Sequence, residues 1–419
     1  MEQDERLVKV DILIQHKKFA DAEKILSSLL SEDANNIYVI SLMAEVKLQQ
    51  DQFEHALQLV DTAIGMAPDA PQLFYIKSRI AIQQDKLLMA ESNIHQAIEL
   101  DPYDDDYFAL LANINLARKQ FEPALEAANT ALEINAENLL ALNARSTALN
   151  KLNRSQESIE TIAGALREDP NNAYTHANYG WGLLERGDYK KALEHFKEAL
   201  ANNPTLEYAQ SGMVEALKAT NPVYRMFLKY AFFMGNLTAK YQWGVLIGFY
   251  IGFKILRTIA RNNEALQPYL IPLIILLAIV SFSTWIIGPI SNVFLRFNKY
   301  GQFLLNKNEK ISSNLVAISF AVFVLSLLSY FFTKNEKLLP MVVYGFAMML
   351  PLGTMFSPSK KKHILTIFSG VLAVIGLLAI GITFLKGEVV NIFSGLFIFG
   401  FVAFQWVANY QSIKEDNRS

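Results

Sequence analysis

The residue types able to move protons or hold metals are sparse in this chain and poorly grouped for either task. Cysteine is absent, which excludes disulfides, thiol nucleophiles and thiolate metal sites. Five of the six histidines, His16, His55, His95, His176 and His195, are dispersed without the short spacings that gather metal ligands. The sixth, His363, follows Lys360, Lys361 and Lys362 and reads as a residue of a membrane–water boundary. Glycosyl transfer and metal-assisted phosphoryl transfer need grouped carboxylates. Beyond residue 220 the acidic residues are Glu264, Glu309, Glu336, Glu388, Glu415 and Asp416, all in loops or the tail, and they form no constellation. Asp104, Asp105 and Asp106 are consecutive but lack calcium-loop spacing, so they read as solvated turn and helix-start residues. No phosphate-binding glycine loop or nucleophile elbow occurs. The expectation is a protein that is not an enzyme, holds no metal or cofactor, and works by binding.

A binding surface needs a scaffold, and charge divides this one in two. Residues 1–220 hold 34 Asp and Glu against 20 Lys and Arg, net −14, while 221–419 hold 6 against 18, net +12; the sum is the −2 of the whole chain. A half at −14 repels phosphates, so nucleic acid is not an expected partner. That half repeats every 34 residues. Ala22, Ala56, Ala90, Ala124, Ser158 and Ala192 form one column of small residues, and Val10, Ala44, Ser78, Ala112, Ser146 and Gly180 form another. Phe19, Phe53, Leu87, Phe121 and Tyr189 form a column of large ones, and Pro68, Pro102, Pro170 and Pro204 close four rows. Each row reads as two antiparallel helices that bury their apolar faces only by stacking on neighbours. Proline ends the second helix because it cannot donate the next backbone hydrogen bond.

The clearest row runs from Ala173 to Leu206, with Tyr179-Gly180, Leu183, Gly187-Asp188-Tyr189, Ala192, Phe196, Ala199 and Pro204 in register and His176 at the usual tryptophan position. It resembles the tetratricopeptide repeat (TPR). Six rows, Gln3 to Leu206, share the register; the row from Leu139 departs most, with Ser155 and Ser158 at signature positions, and Glu207 to Lys218 reads as a closing helix. The resemblance implies an all-α solenoid over residues 1–220 whose first helices line a groove for proteins or peptides. Its groove columns fall on Tyr38, Tyr75, Arg79, Asp106, Asn113, Asn143, Tyr174, Trp181 and Tyr208. The family's lysine and asparagine clamp for acidic C-terminal tails is not kept, since its columns hold residues such as Leu7, Tyr75 and Ala109.

Beyond the solenoid the pattern is hydropathic. A helix crosses the hydrocarbon in about 20 mostly apolar residues. Tyr269–Ile290, Leu315–Thr333, Leu338–Phe356, Ile364–Leu385 and Val389–Tyr410 meet that requirement, and Trp243–Ala260 does so despite Lys254 and Arg257. With six spans and a cytosolic start, twelve Lys and Arg lie in cytosolic segments and five outside, whereas five spans give nine and nine. Cytosolic loops carry the cationic excess, so six spans is the reading. It places an integral multi-pass membrane domain at 243–411, a cytosolic tail at 412–419, and both termini in the cytosol of a bacterium bounded by its inner membrane. MEQDERLVKV lacks a cleavable signal pattern, in keeping with a cytosolic start. Residues 221–242 read as an amphipathic interfacial joint touching membrane lipids. Gly244, Gly248 and Gly252 lie on one helix face, which suits close packing inside the bundle or, second in order, against another copy of the chain.

Two function classes follow: a membrane-anchored adaptor that recruits proteins to the cytosolic face, for envelope assembly or secretion, and a transporter or channel subunit regulated by its repeats. The spans after the first have no charged residue or histidine inside, which weighs against ion-coupled transport.

Overall fold

The computed structural model describes residues 2–298, 301–303, 305–356 and 363–416. Lys299, Lys360 to Lys362 and Arg418, used in the topology count, lie outside the described residues. Every regular element among the described residues is helical. The chain forms two compact units, Met1–Gly182 with His195–Ala209, and Leu183–Glu194 with Gln210–Ser419.

The period of 34 fixes where helices begin. The first helices of successive hairpins are α1 (Glu2–Gln15), α3 (Ile37–Gln49), α5 (Pro71–Gln83), α7 (Asp105–Ala117), α9 (Leu139–Lys151) and α11 (Ala173–Arg186). The second helices are α2 (Phe19–Glu32), α4 (Phe53–Met66), α6 (Leu87–Leu100), α8 (Phe121–Ile134), α10 (Ser155–Glu168) and α12 (Tyr189–Asn202), and α13 (Glu207–Lys218) follows. The large-residue column is thus the first position of every second helix. Among the described residues, four first helices start under an Asx cap, the side chains of Asn36, Asp104, Asn138 and Asn172 accepting from backbone N–H groups at 3.2, 2.9, 2.8 and 2.9 Å.

The turn inside each hairpin is equally regular. Lys17, Asp51, Asp85, Lys119, Asn153 and Gly187, again 34 apart, all have positive φ, between 55 and 89°. The next residue then donates back over five positions, as from Gln52 to Lys47 and from Gln120 to Asn115, at 2.9 and 2.8 Å. This is the Schellman closure, which satisfies carbonyls left over at a helix end. Only the sixth hairpin uses glycine there. The other five hold a side chain in the left-handed region, which costs about 1 kcal/mol for an ordinary residue.

The two small columns face each other where the paired helices come closest. Val10, Ala44, Ala112, Ala22, Ala56, Ala90, Ala124 and Ala192 are fully buried. Serine is tolerated there because its hydroxyl bonds to the partner helix. Ser78 Oγ donates to the Ala90 carbonyl at 2.8 Å, and Ser158 Oγ donates to the Ser146 carbonyl at 2.9 Å. The Leu139 row departs from the pattern by exchanging a hydrophobic contact for that serine pair, and it keeps the hairpin geometry.

In the second unit, α14 (Pro222–Asn236) precedes α15 (Ala239–Asn262), α16 (Gln267–Phe297), α17 (Lys307–Thr333), α18 (Leu339–Thr354), α19 (Ile364–Lys386) and α20 (Ile392–Asp416). The six expected spans overlay α15 to α20 in order. Four helical segments among the described residues are long and apolar enough to cross a membrane: Lys240–Asn262, Lys307–Thr333, Glu336–Thr354 and Ile364–Lys386. Ile286–Phe297 and Ile392–Ala408, within α16 and α20, are shorter apolar segments. The tightest packing joins α17 to α18. A Cβ on Gly345 would stand 2.6 Å from the Phe323 nitrogen, and Ser319 Oγ donates to the Gly345 carbonyl at 2.9 Å. That backbone approach admits only glycine.

Two expectations are corrected here. Among the described residues outside its own helix backbone, no atom lies within 4 Å of a Cβ built on Gly244, Gly248 or Gly252, so the described packing sets no close partner against this stripe. The reason is that α15 presents most of its circumference outward, including Trp243, Ile247, Tyr250 and Ile255. The joint at 221–242 also divides, because α14 ends at Asn236 and α15 takes up the chain at Ala239. One face of α14 is packed: Tyr224 and Leu228 are buried, and Tyr224 Oη donates to Glu215 Oε2 at 2.5 Å. The Arg225 guanidinium lies 4.5 Å from the centre of the Tyr189 ring, and Asn236 Nδ2 donates to Glu185 Oε1 at 2.6 Å. Pro222 begins 33 residues after Tyr189, so α13 and α14 continue the hairpin rhythm.

Candidate functional site

First helices carry every residue of the expected groove, and the structure gives these residues different tasks. Tyr38, Tyr174 and Tyr208 share one column and are exposed, at 48, 44 and 38%. Tyr174 and Tyr208 stack with ring centres 5.7 Å apart, so α11 and α13 present one aromatic surface. Burial of the hydroxyl pushes the Tyr174 phenol above its ordinary pKa although the ring edge is open. Trp181 supports that surface: its indole N–H donates to the Tyr208 carbonyl at 3.0 Å while its ring packs edge-on to Phe196 and stacks on Tyr208.

A second group lies on α3, α5 and α7. Arg79 meets Glu45, 34 residues earlier, through two hydrogen bonds of 2.6 and 3.0 Å, and its guanidinium lies 5.6 Å from the centre of the Tyr75 ring. Tyr75 packs against Tyr107 at 5.4 Å, and burial raises both phenols above their usual values. Arg79 and Asn113 line a depression of about 280 Å³ with Leu48, Gln49, Gln83 and Leu110. Its lining also includes Asp51 and Ile82, so apolar, amide and charged side chains all border it. Asn113 itself donates to the Ala109 carbonyl at 2.8 Å.

Two expected residues are withdrawn from the surface. Asn143 is only 4% exposed, and its Nδ2 donates to Leu139 O and Thr175 Oγ1 at 2.8 and 2.9 Å. Asn178 and Thr147 complete a buried polar seam between α9 and α11, with Thr147 Oγ1 donating to Asn178 Oδ1 at 3.1 Å. Asn143 is therefore a structural link between repeats and not a groove residue. Asp106 accepts from Asn138 of the next repeat at 2.9 Å, and Asp105 accepts from the same amide at 2.6 Å. The acidic tract thus joins two hairpins; burial lifts the Asp104 carboxyl above its usual range.

One arrangement was not expected. His176 and His195 meet with Nδ1 atoms 3.0 Å apart, while His176 Nε2 lies 3.0 Å from the Pro170 carbonyl. A carbonyl only accepts, so Nε2 of His176 carries a proton, and one of the two facing Nδ1 atoms donates to the other. Burial and the neighbouring His176 push His195 down to about 4. The sequence signal was their shared row. Residues of a hairpin's two antiparallel helices pair about a fixed midpoint, and His176 with His195 lies about the midpoint that Ser146 with Ser158 sets one row earlier, to within one residue. Among the described residues no three His, Asp or Glu side chains gather in a way that could hold a metal.

Helical hairpins repeated at fixed period, with exposed aromatic and polar columns on their first helices, define an α-solenoid scaffold of the kind that binds proteins. These hairpins are tetratricopeptide repeats. Residues 13–80 and 173–206 match tetratricopeptide repeat family models. The chain is 23% identical over 212 residues to a DnaJ homolog subfamily C member 7 homolog of Dictyostelium discoideum, covering 50% of this chain and 36% of that protein. It is 28% identical over 209 residues to the human protein O-mannosyl-transferase TMTC3, covering 46% of this chain and 22% of that one. The matches therefore span well under two thirds of either relative. Among solved structures, a tetratricopeptide repeat protein from Parabacteroides merdae is 16% identical with a TM-score of 0.44, covering 50% of this chain and 81% of that chain.

Proposed function

We propose that this chain is a membrane-anchored adaptor that holds a protein partner on the first-helix face of its repeats. The observation that carries the reading is the exposed aromatic column Tyr38, Tyr174 and Tyr208 on a repeat scaffold that shares its chain with four long apolar helices. Exposed tyrosines supply contact area at low entropic cost and are typical anchors of protein interfaces. The cationic excess of the second half supports six spans, α15 to α20, with both termini cytosolic. On this reading residues 1–220 are the cytosolic solenoid, 243–411 the membrane domain and 412–419 a cytosolic tail.

The joint has two faces with two tasks. Tyr224 and Arg225 hold one face of α14 to Glu215 and Tyr189, with Leu228 buried beside them, while Val223, Met226, Tyr230 and Phe233 point outward at 65, 75, 41 and 55% exposure. An outward apolar stripe directly before a spanning helix that opens with exposed Tyr241 and Trp243 suits the bilayer interface, where aromatic rings concentrate. The setting is a bacterial inner membrane, and the service is assembly of envelope or secretion components. Transferase activity belongs to the human relative, whose shared segment is 22% of its length, and the role proposed here is non-enzymatic.

The reading is tested by purifying the full chain with its partners in mild detergent. Tyr38→Ala with Tyr174→Ala should reduce partner recovery at least tenfold with helical content unchanged. Undiminished recovery from the double variant would move the binding surface elsewhere.

A further inference from the structure

We infer that α17, α18 and α20 form a site for one acyl chain of a phospholipid, an inference that rests on the membrane reading above. The three helices line an open groove of about 610 Å³ with no polar surface in its lining. That volume lies within the range of roughly 300–1,000 Å³ in which proteins hold small ligands. Its floor is Phe346, Ala347 and Phe397, the last two buried, and its lip is Leu327, Val343 and Ile398, each exposed. The opening therefore faces sideways, away from the helix bundle.

Depth identifies the occupant. Leu327 lies six residues before the end of α17 at Thr333, about 9 Å at 1.5 Å per residue. Val343 and Ala347 lie four and eight residues into α18, about 6 and 12 Å from its start at Leu339. Phe397 and Ile398 lie five and six residues into α20, about 8 and 9 Å from Ile392. These ends share one side, since Lys337 Cε lies 3.9 Å from where a Cβ on Gly387 would stand, joining the α17–α18 turn to the residue after α19. With Val342 at about 4 Å and Phe401 and Phe323 at about 14 and 15 Å, the lining spans about 4–15 Å below one surface, the depth of a single leaflet of a hydrocarbon core about 30 Å thick. At that depth the available ligand is an acyl chain of that leaflet. Lys334, Lys337 and Lys386 stand at the polar end with Glu336 and Glu388, a net +1, so the chain carries the affinity and the headgroup is selected weakly.

The experiment uses the full chain reconstituted with palmitoyl phosphatidylcholine or palmitoyl phosphatidylglycerol bearing a photoreactive diazirine on the acyl chain. Label should concentrate in peptides holding residues 323–347 and 397–401, saturate near one lipid per chain, and differ less than threefold between the two headgroups. Val343→Trp fills the groove from its exposed lip and should lower that label at least fivefold; Leu327→Trp is a second filler from another helix. Val374→Trp, on the exposed face of α19, should leave it unchanged. Label spread evenly over α17 to α20 and equal in both filled variants would mean bulk bilayer contact only and would overturn the site. Alkaline carbonate extraction of the same membranes separates the two failures: a chain released into the supernatant refutes the membrane reading itself, whereas a retained chain with even label refutes the lipid site alone.

Discussion

Replacing Gly180 by alanine tests how closely the sixth hairpin depends on one pairing. The added Cβ would stand 2.8 to 2.9 Å from three carbons of the Phe196 ring, and Phe196 is fully buried, so the ring has no room to swing away. Overpacking of this kind costs about 1–3 kcal/mol. Alanine also recovers about 1 kcal/mol of helix propensity over glycine in a helix interior. The net expectation is a loss of up to about 2 kcal/mol, or as much as 30-fold in local opening. In other rows the position of Phe196 is filled by Leu26, Val60, Ile94, Ala128 and Ile162, opposite Val10, Ala44, Ser78, Ala112 and Ser146. Phe196→Ile should therefore remove the clash, and in that background Gly180→Ala should change sign and stabilise by up to about 1 kcal/mol. Hydrogen exchange of peptides from Ala173–Asn202 in the full chain reads both effects. Equal destabilisation by Gly180→Ala in the two backgrounds would refute the pairing argument.

Lys119→Gly should stabilise the fourth hairpin by about 0.5–1 kcal/mol, because φ of 61° strains lysine and not glycine; a lower melting temperature would contradict this. The His195 imidazole, held down to about 4 when folded against 6.5 unfolded, binds protons less readily in the folded state. Its contribution is thus fully present above about pH 6.5 and lost as pH falls toward 4, roughly 1–2 kcal/mol after allowing for its partial exposure. His195→Gln should abolish that slope in hydrogen exchange of α12, and an unchanged slope would assign it to other groups. The absence of cysteine makes single-cysteine topology mapping clean: Asn335→Cys should react with an impermeant thiol reagent outside intact cells, and Asn308→Cys should not. Reversed labelling would invert the proposed orientation.

The repeat was legible because each column is constrained twice, by its own hairpin and by the next. Small residues at Ala56 or Ala124 are demanded by helix approach, so helix starts could be read to the residue. Four of the expected spans, those on α15, α17, α18 and α19, were legible for a similar reason, since length and apolar content are properties of one segment. What failed depended on neighbours that a column does not name. Asn143 occupies a groove column, but Thr175 and Asn178 arrive beside it from the next repeat and draw its amide inward. Gly244, Gly248 and Gly252 predict a helix face able to pack closely, yet no part of the sequence says which surface meets it. The joint was read by its apolar period alone, which cannot tell a face packed on a hairpin from one turned to lipid. Both faces are present, Leu228 on one and Met226 on the other.

On the proposed reading, the first-helix aromatic column receives a protein while the chain is seated in a membrane. A photoreactive phenylalanine placed at Tyr38 and, separately, at Tyr174 in native membranes tests it directly, with exposed Leu88 on the second helix α6 as the reference position. The account predicts that both groove positions cross-link the same protein and that Leu88 does not. Cross-links to that protein from Leu88 at equal yield, or none from either tyrosine position, would contradict it.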